Sequence, residues 1–328
     1  MKNSLRPVLS AFERYSRFAV TMHVHPDPDA VASALSMALF LKGRGKKVRV
    51  FNSDACPQWL EFVPRVSLYE QFDESKHLSF KPEALVVLDC GELSRIGRVA
   101  RFAENGAKVI NIDHHVTNTF FGDYNHVLED YSSTSEILCQ LFKEAGSDFS
   151  RDMAILLYLG ILTDTGSFGF DSTRSHTHAM IADLLKFDFS VSDLYRRVYE
   201  TLPRKDLKKF LKLMSRLELF CDDRVACLSL SRRQIAGFSG SFDLKDKIFN
   251  FLRSVNGLEV IVILTEQDPK EAGKVRTRLN FRSRGDVDVA RMASGFNGGG
   301  HKKASGGYLD ENLSRSREII LKTIGKLI

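Results

Sequence analysis

Four apolar runs in the first half of the chain each end in aspartate or histidine, and that pairing restricts the fold more than anything else in the sequence. Phe18-Ala19-Val20-Thr21-Met22 runs into His23-Val24-His25-Pro26-Asp27-Pro28-Asp29, and Leu85-Val86-Val87-Leu88 into Asp89. Val109-Ile110-Asn111-Ile112 precedes Asp113-His114-His115, and the long apolar stretch 156–163 precedes Asp164. Buried parallel strands read as continuous apolar runs, and an open α/β sheet builds its site in the crevice at the strands' carboxyl ends. Helical patterns fill the gaps. One spans 8–15 before the first strand, and one spans 30–41, with Asp29 as a candidate N-cap and Gly43 as its C′ residue. Others cover 94–104, 133–145, 153–162 and 176–187. Strands alternating with helices predict an α/β fold, a mostly parallel sheet flanked by helices.

At 328 residues the chain exceeds the usual size of one domain. Its charged, helical stretch 187–216 reads as a linker between a first domain at 1–186 and a second at 217–328. The latter is β-rich, with strands expected at 225–231, 258–265 and 274–283, a helix over 288–292 and a last helix over 313–328, hence a smaller mixed-sheet α/β domain. No apolar stretch reaches the roughly 20 residues needed to span a bilayer. The first seven residues lack the apolar core of a signal peptide, and the five cysteines show no metal-type spacing. Reduced thiols and a cytoplasmic location are the expectation. A net charge of +6 permits an anionic partner without requiring one, and no membrane partner is expected.

Carboxylates mixed with imidazoles suit divalent metals, and several carboxylates together suit two of them. The two prolines stiffen the loop holding His23, Asp27 and Asp29, so the three side chains can converge at small entropic cost. His25 reads as a solvent-side neighbour. Asp89 follows four apolar residues, where an unpaired carboxylate would be costly, and a bridging metal ligand is its natural use. In Asp113-His114-His115 one imidazole can ligate while its neighbour binds phosphate or moves a proton. Asp164, closing an apolar helix, again calls for a cation.

In the second domain Val275, Thr277, Leu279 and Phe281 alternate with Arg276, Arg278, Arg282 and Arg284, broken only by Asn280. One strand face is therefore apolar and the other offers guanidinium forks that match phosphate oxygens. Positions 276–284 span roughly 27 Å at about 3.4 Å per residue, too far for one small ligand to meet all four arginines. Arg282, nearest in sequence to the glycine cluster, is the candidate. That cluster, Gly298-Gly299-Gly300-His301, lets backbone amides approach a phosphate or base.

The set HVHPDPDA, VVLDCG, NIDHH and LTDTGSF resembles the four N-terminal motifs of the DHH phosphoesterases, in order and spacing over about 150 residues. The glycine cluster is similar to the GGGH signature of the DHH-associated C-terminal domain. This chain carries Asn297 where that pattern has glycine and Ser305 where it has alanine. The resemblance implies two Mn²⁺ ions, with Mg²⁺ or Co²⁺ as substitutes. His23, Asp27 and Asp89 would hold the first; Asp29, Asp89, His114 and Asp164 would hold the second. Asp89 would bridge and be catalytic, and His115 would be catalytic through contact with the scissile phosphate. Arg282, Gly298, Gly299, Gly300 and His301 would join His115 in binding substrate. The two-domain length resembles the nanoRNase/pAp-phosphatase subgroup. Its substrates are short RNA oligonucleotides, dinucleotides and 3′-phosphoadenosine 5′-phosphate, and a homodimer is compatible with it. The alternatives are a cyclic-dinucleotide phosphodiesterase, a family II inorganic pyrophosphatase, which lacks the GGGH ending, and a non-catalytic nucleotide sensor. The intact ligand set argues against the last.

Overall fold

A computed structural model describes residues 4–269 and 273–325, leaving out the side chain of His301. The chain forms two compact units, Met1–Tyr195 and Arg196–Ile328. None of the described helices is long and apolar enough to cross a membrane.

The first unit is built on six parallel strands in the order β3-β2-β1-β4-β5-β6. In chain order its elements are α1 (Leu5–Arg14), β1 (Arg17–Met22), α2 (Pro28–Gly43), β2 (Lys47–Asn52), β3 (Tyr69–Gln71), α3 (Glu74–His77) and β4 (Ala84–Leu88). Then come α4 (Arg101–Glu104), β5 (Lys108–Asp113), β6 (Tyr124–Val127), α5 (Thr134–Glu144), α6 (Arg151–Asp164) and α7 (Ser175–Leu184). Ala19, Leu85, Val87 and Val109 join Phe51, Phe72 and Phe102 in one core. Phe18, Val20, Val86, Ile110 and Ile112, equally buried, alternate with them and supply the opposite face, where α2 and α5 pack. That face accounts for α2, which buries residues all round because it lies between the sheet and α6.

The strand order reverses between β1 and β4, since β2 and β3 extend the sheet on one side and β5 and β6 on the other. Such a switch point opens a crevice at the carboxyl ends of the central strands. His23 and Asp89 leave the sheet there.

Two expected elements differ in detail. The N-cap of α2 is Asp27, not Asp29, and Gly43 is helical, while Gly45 takes the left-handed position (φ 73°) that follows the helix. The helix expected over 94–104 is a 3-10 segment, Leu93–Ala100, broken at Gly97 and followed by the short α4. Gly97 adopts φ 58°, and a Cβ there would stand 2.5 Å from the Ser53 hydroxyl, so the chain must turn tightly over β2 at that point.

The boundary between units falls within α8 (Val191–Tyr199). The second unit then runs α9 (Arg204–Met214), β7 (Glu218–Phe220), β8 (Val225–Leu230), α10 (Arg232–Ala236), α11 (Leu244–Arg253), β9 (Val260–Glu266) and β10 (Thr277–Ser283). It ends with α12 (Val289–Ser294), β11 (Gly299–His301), β12 (Ala304–Leu309) and α13 (Leu313–Ile324). Its sheet, β11-β12-β10-β9-β8-β7, is mixed, with β8 and β9 parallel and the other pairs antiparallel. Ala226, Leu228, Ile261 and Ile263 pack on Phe210, Phe249 and Leu252; Val262, Leu264, Leu279 and Phe281 pack on Val289, Met292 and Ile320. The glycine cluster is therefore not a turn alone. It supplies β11 of a hairpin, paired Gly299 to Gly306 and His301 to Ala304.

Candidate metal centre

His23 follows β1 directly, and its Nδ1 lies 2.8 Å from the Val24 carbonyl. That contact fixes the ring so that Nε2 faces Asp27 Oδ2 at 3.6 Å and Asp89 Oδ2 at 3.5 Å. Asp27 divides its carboxylate: Oδ1 accepts from the Ala30 amide as the cap of α2, and Oδ2 points to His23. Asp89 leaves β4 with φ 53°, a strained left-handed conformation for a non-glycine residue. The kink carries its carboxylate between two histidines. Oδ2 faces His23, and Oδ1 faces His114 Nε2 at 3.4 Å.

His114 follows β5, with Nδ1 3.4 Å from the Tyr131 carbonyl and Nε2 3.3 Å from Asp164 Oδ2 at the end of α6. Asp29, fully buried, completes a group with His114 and Asp164. Ligand atoms of His23, Asp27 and Asp89 all lie within 4.8 Å of one another, as do those of Asp29, His114 and Asp164. Asp89 joins the second group through His114. His115 stands beside them, its Nδ1 2.7 Å from Asp113 Oδ1, while Asn118 donates to Asp113 Oδ2 at 2.6 Å. His25 turns away to Asp54.

These separations suit donors arranged around a shared ion better than direct bonds. The four approaches of His23 and His114 to Asp27, Asp89 and Asp164 measure 3.3–3.6 Å, at or beyond the limit of good hydrogen bonds. Donors about 2.1 Å from one ion, roughly 90–110° apart, stand about 3.0–3.4 Å from each other. The charges agree. Burial would lower His23, yet Asp27 and Asp89 outweigh it and hold the imidazole at about 10. Burial also opposes the charged form of His114, but Asp89 and Asp164 raise it well above the usual histidine range. Burial and then Asp89 push Asp29 up to about 7, and burial with Asp29 raises Asp164. Asp89, despite its burial, is held well below the carboxylate range by His114 and His23. Asp29 and Asp164 are driven to keep protons beside imidazoles drawn to carboxylates, and cations bound among them would favour the ligating form of each. The donor set fits divalent ions.

The residues supporting these donors carry no chemical signature in the sequence. Thr134 and Ser135 amides donate to Asp29, the Thr134 hydroxyl donates to Asp89, and Gly160 lets α6 approach both Asp29 and Ser135. A signal was nonetheless present, since Ser133 followed three residues later by Glu136 before an apolar run marks a helix N-terminus.

In the second unit the alternation of β10 is real: Thr277, Leu279 and Phe281 are buried, and Arg278, Asn280 and Arg282 lie on the other, half-buried face. Arg282 stacks over Phe249 at 4.7 Å and donates to its neighbour's carbonyl, Phe281 O, at 3.0 Å. Arg276 pairs with Asp310 and covers Tyr308, and Arg284 binds the Arg253 carbonyl. Gly298 and Gly300 are demanded by packing, since a Cβ would meet the Gly306 carbonyl at 2.0 Å and the Ala304 carbonyl at 2.6 Å. At Gly299 a Cβ would meet nothing within 4 Å. The backbone of His301 belongs to β11, and its side chain lies outside the described residues. Asn297 has φ 51°, which explains how the family's glycine gives way here to a residue that tolerates the left-handed region. The Ser305 hydroxyl donates to the Val289 carbonyl at 2.6 Å.

Residues 17–161 match the DHH family, N-terminal domain, and residues 239–328 match the DHHA1 domain. The chain is 30% identical over 307 residues to the bifunctional oligoribonuclease and PAP phosphatase NrnA of Thermus thermophilus, covering 93% of this chain and 88% of that protein. It is 28% identical over 295 residues to the Bacillus subtilis protein of the same name, covering 89% of each. The crystal structure of an exopolyphosphatase-related protein from Bacteroides fragilis superposes with a TM-score of 0.84 at 26% identity, over 98% of this chain and 95% of that one.

Proposed function

The chain belongs to the DHH family, and from that premise we propose that it is a two-manganese phosphoesterase acting on short oligoribonucleotides and 3′-phosphoadenosine 5′-phosphate. The reading rests above all on Asp89, whose two oxygens face separate donor groups. In it, His23, Asp27 and Asp89 hold one ion, and Asp29, Asp89, His114 and Asp164 hold the other. Bound there, two divalent ions would acidify the attacking water and neutralise charge on the attacking and leaving oxygens.

The protein's own groups do the rest. Both substrates carry phosphorus on a ribose 3′ oxygen, so one step serves both: water adds to phosphorus, the P–O bond breaks, and the leaving oxygen takes a proton. Asp113 fixes Nδ1 of His115, which directs Nε2 toward the phosphate oxygens. Asn118 holds Asp113 in turn, and also donates toward Asn111 Oδ1 at 2.8 Å, so His115 turns on a rigid base. Arg282, His301 and the amides of 298–300 take part in substrate capture. Gly299 supports this, because open space above a backbone is what close approach of a phosphate or base requires. Neighbouring cations support it too: burial and then Arg282 lower the Arg253 guanidinium to about 10, with Asp246 opposing the shift. The described cysteines are all free, in keeping with work in the reducing cytoplasm.

Metal-stripped protein should be inactive and should regain activity with Mn²⁺. The test compares initial rates on 3′-phosphoadenosine 5′-phosphate, a 5′-phosphorylated RNA dinucleotide, a cyclic dinucleotide and pyrophosphate. The first two should be fastest. Full turnover under chelation, or pyrophosphate outrunning both, would overturn the reading.

A further inference from the structure

The start of α5 and the loop just before it touch three of the proposed ligands at once. Its first amide, Thr134 N, donates to Asp29 Oδ2 at 2.8 Å, and Ser135 N donates to Asp29 Oδ1 at 3.0 Å. The Thr134 hydroxyl donates to Asp89 Oδ1 at 3.1 Å. The carbonyl of Tyr131, in the loop just before, accepts from His114 Nδ1. Thr134, Ser135, Asp29 and Asp89 are all buried, so water does not stand in for these bonds.

We propose that Thr134 is a positioning residue of the metal centre, setting the orientation of Asp29 through its amide and of Asp89 through its hydroxyl. This inference rests on the two-ion reading of the site. Counting lone pairs shows how specific the arrangement is. Asp29 Oδ1 accepts from both Ser135 N and Ser33 Oγ, which occupies it, while Oδ2 accepts from Thr134 N alone and keeps one lone pair for an ion. Asp89 Oδ1, the oxygen on the His114 side, is the one the Thr134 hydroxyl holds. Partial positive charge at a helix N-terminus also favours a carboxylate at that end.

The loop that delivers these donors is itself fastened. Glu136, wholly buried, accepts at Oε2 from both the amide and the hydroxyl of Ser132, each at 2.7 Å. Its Oε1 lies 3.4 Å from His176 Nε2, and the His176 ring packs on Tyr131 with centroids 5.1 Å apart. Ser133 caps the helix through the Glu136 amide. From Tyr131 to Glu136 every polar contact turned inward fixes either a ligand or the segment that fixes it. Partners of this kind typically alter metal affinity about 10- to 100-fold when removed.

The test is Mn²⁺ binding to metal-free protein by titration calorimetry, with kcat and KM on an RNA dinucleotide. Thr134→Val keeps shape and amide but deletes the hydroxyl, and Thr134→Ser keeps the hydroxyl. Thr134→Val should bind the weaker ion about 10- to 100-fold less tightly, lose kcat at limiting Mn²⁺ and recover it in excess, with KM changed less than about twofold. Thr134→Ser should stay within about threefold of wild type. Should Thr134→Val fail to fold, Thr134→Ala is read in the same way, since it is smaller than the native residue. Wild type that binds two ions beside a folded variant that binds both equally well would overturn the positioning role alone. Wild type that binds no ions would overturn the two-ion reading beneath it.

Discussion

The two units carry their candidate groups in opposite constructions. In the first, acidic and imidazole groups are buried, and main-chain atoms hold many of them in place: amides fix Asp27 and Asp29, and carbonyls fix His23 and His114. In the second, the candidate groups stand on a half-buried strand face, and the arginines that flank Arg282 are spent on the unit's own atoms. A site that must hold cations at fixed spacing needs a rigid frame, because small displacements cost much of the ligand field. A surface that receives a flexible nucleotide can use long side chains whose rest positions are occupied by weak partners. Substitutions in the first unit should therefore damage chemistry, and those in the second should damage capture.

Asp89→Ala sets the upper limit. Losing the group shared by both donor sets should weaken both ions and cut activity by more than about 10³-fold, some 4 kcal/mol in the barrier. Metal analysis that finds two ions with near-normal rates would break the bridging assignment. Arg282→Ala and His301→Ala come next. Each should leave both ions bound and reduce kcat/KM roughly 10- to 150-fold, the range for one charge-assisted contact of about 1.5–3 kcal/mol. If both stay within twofold on short RNA, the second unit plays no part in capture, and the contrast between the units fails.

Gly160→Ala probes the rigidity of the first unit without replacing a proposed ligand. Its Cβ would fall 2.0 Å from Ser135 Oγ and 2.3 Å from Asp29 Oδ1, forcing α6 away from α5. Thermal unfolding should show a loss of about 1–3 kcal/mol, with weaker Mn²⁺ binding. Gly299→Ala, made in open space, should leave the melting curve unchanged and disturb only KM. The smallest effect concerns acid stability in the second unit. The hydroxyl and amide of Ser239, followed by Lys209, hold the Asp206 carboxyl at about 2. A depressed value stabilises the fold above the unfolded carboxylate range near 3.8, and the contribution fades as pH falls toward 2. Asp206→Asn should therefore flatten the loss of stability between about pH 4 and 2, as followed by urea unfolding.

What the sequence disclosed follows the same division. Strands β1, β4 and β5 announced themselves because strands buried on both faces must be apolar throughout, and every proposed ligand was visible as a polar residue breaking such a run or helix. The edges were silent. The stretch Tyr124-Asn125-His126-Val127 of β6 is mostly polar, and β11 and β12 each carry two adjacent glycines, so neither stretch shows a strand's alternation. Asp27 rather than Asp29 caps α2 because Asp29 is drawn to the amides of a helix more than a hundred residues later, which no local pattern reveals. Thr134 and Asn118 act through buried hydrogen bonds, and a threonine or asparagine in a sequence does not say what it will face. Conversely, the glycines looked functional as a group, and packing accounts for Gly298 and Gly300.

The donors come from positions 23 to 164, carried by β1, α2, β4, β5 and α6, and the strand order makes none of the site available before the crossover from β3 to β4 is complete. Contacts so distant along the chain form late, after the slow pairing of parallel strands. During synthesis, a chain that has emerged only as far as β6 therefore holds His23, Asp27 and Asp89 without the α5 clamp on Asp89, and it cannot complete the group that needs Asp164. In the two-ion reading, the ions would therefore seal a finished fold rather than template it. If they bind that state alone, ions at 100 times their dissociation constant would add about 2.7 kcal/mol per site to its persistence.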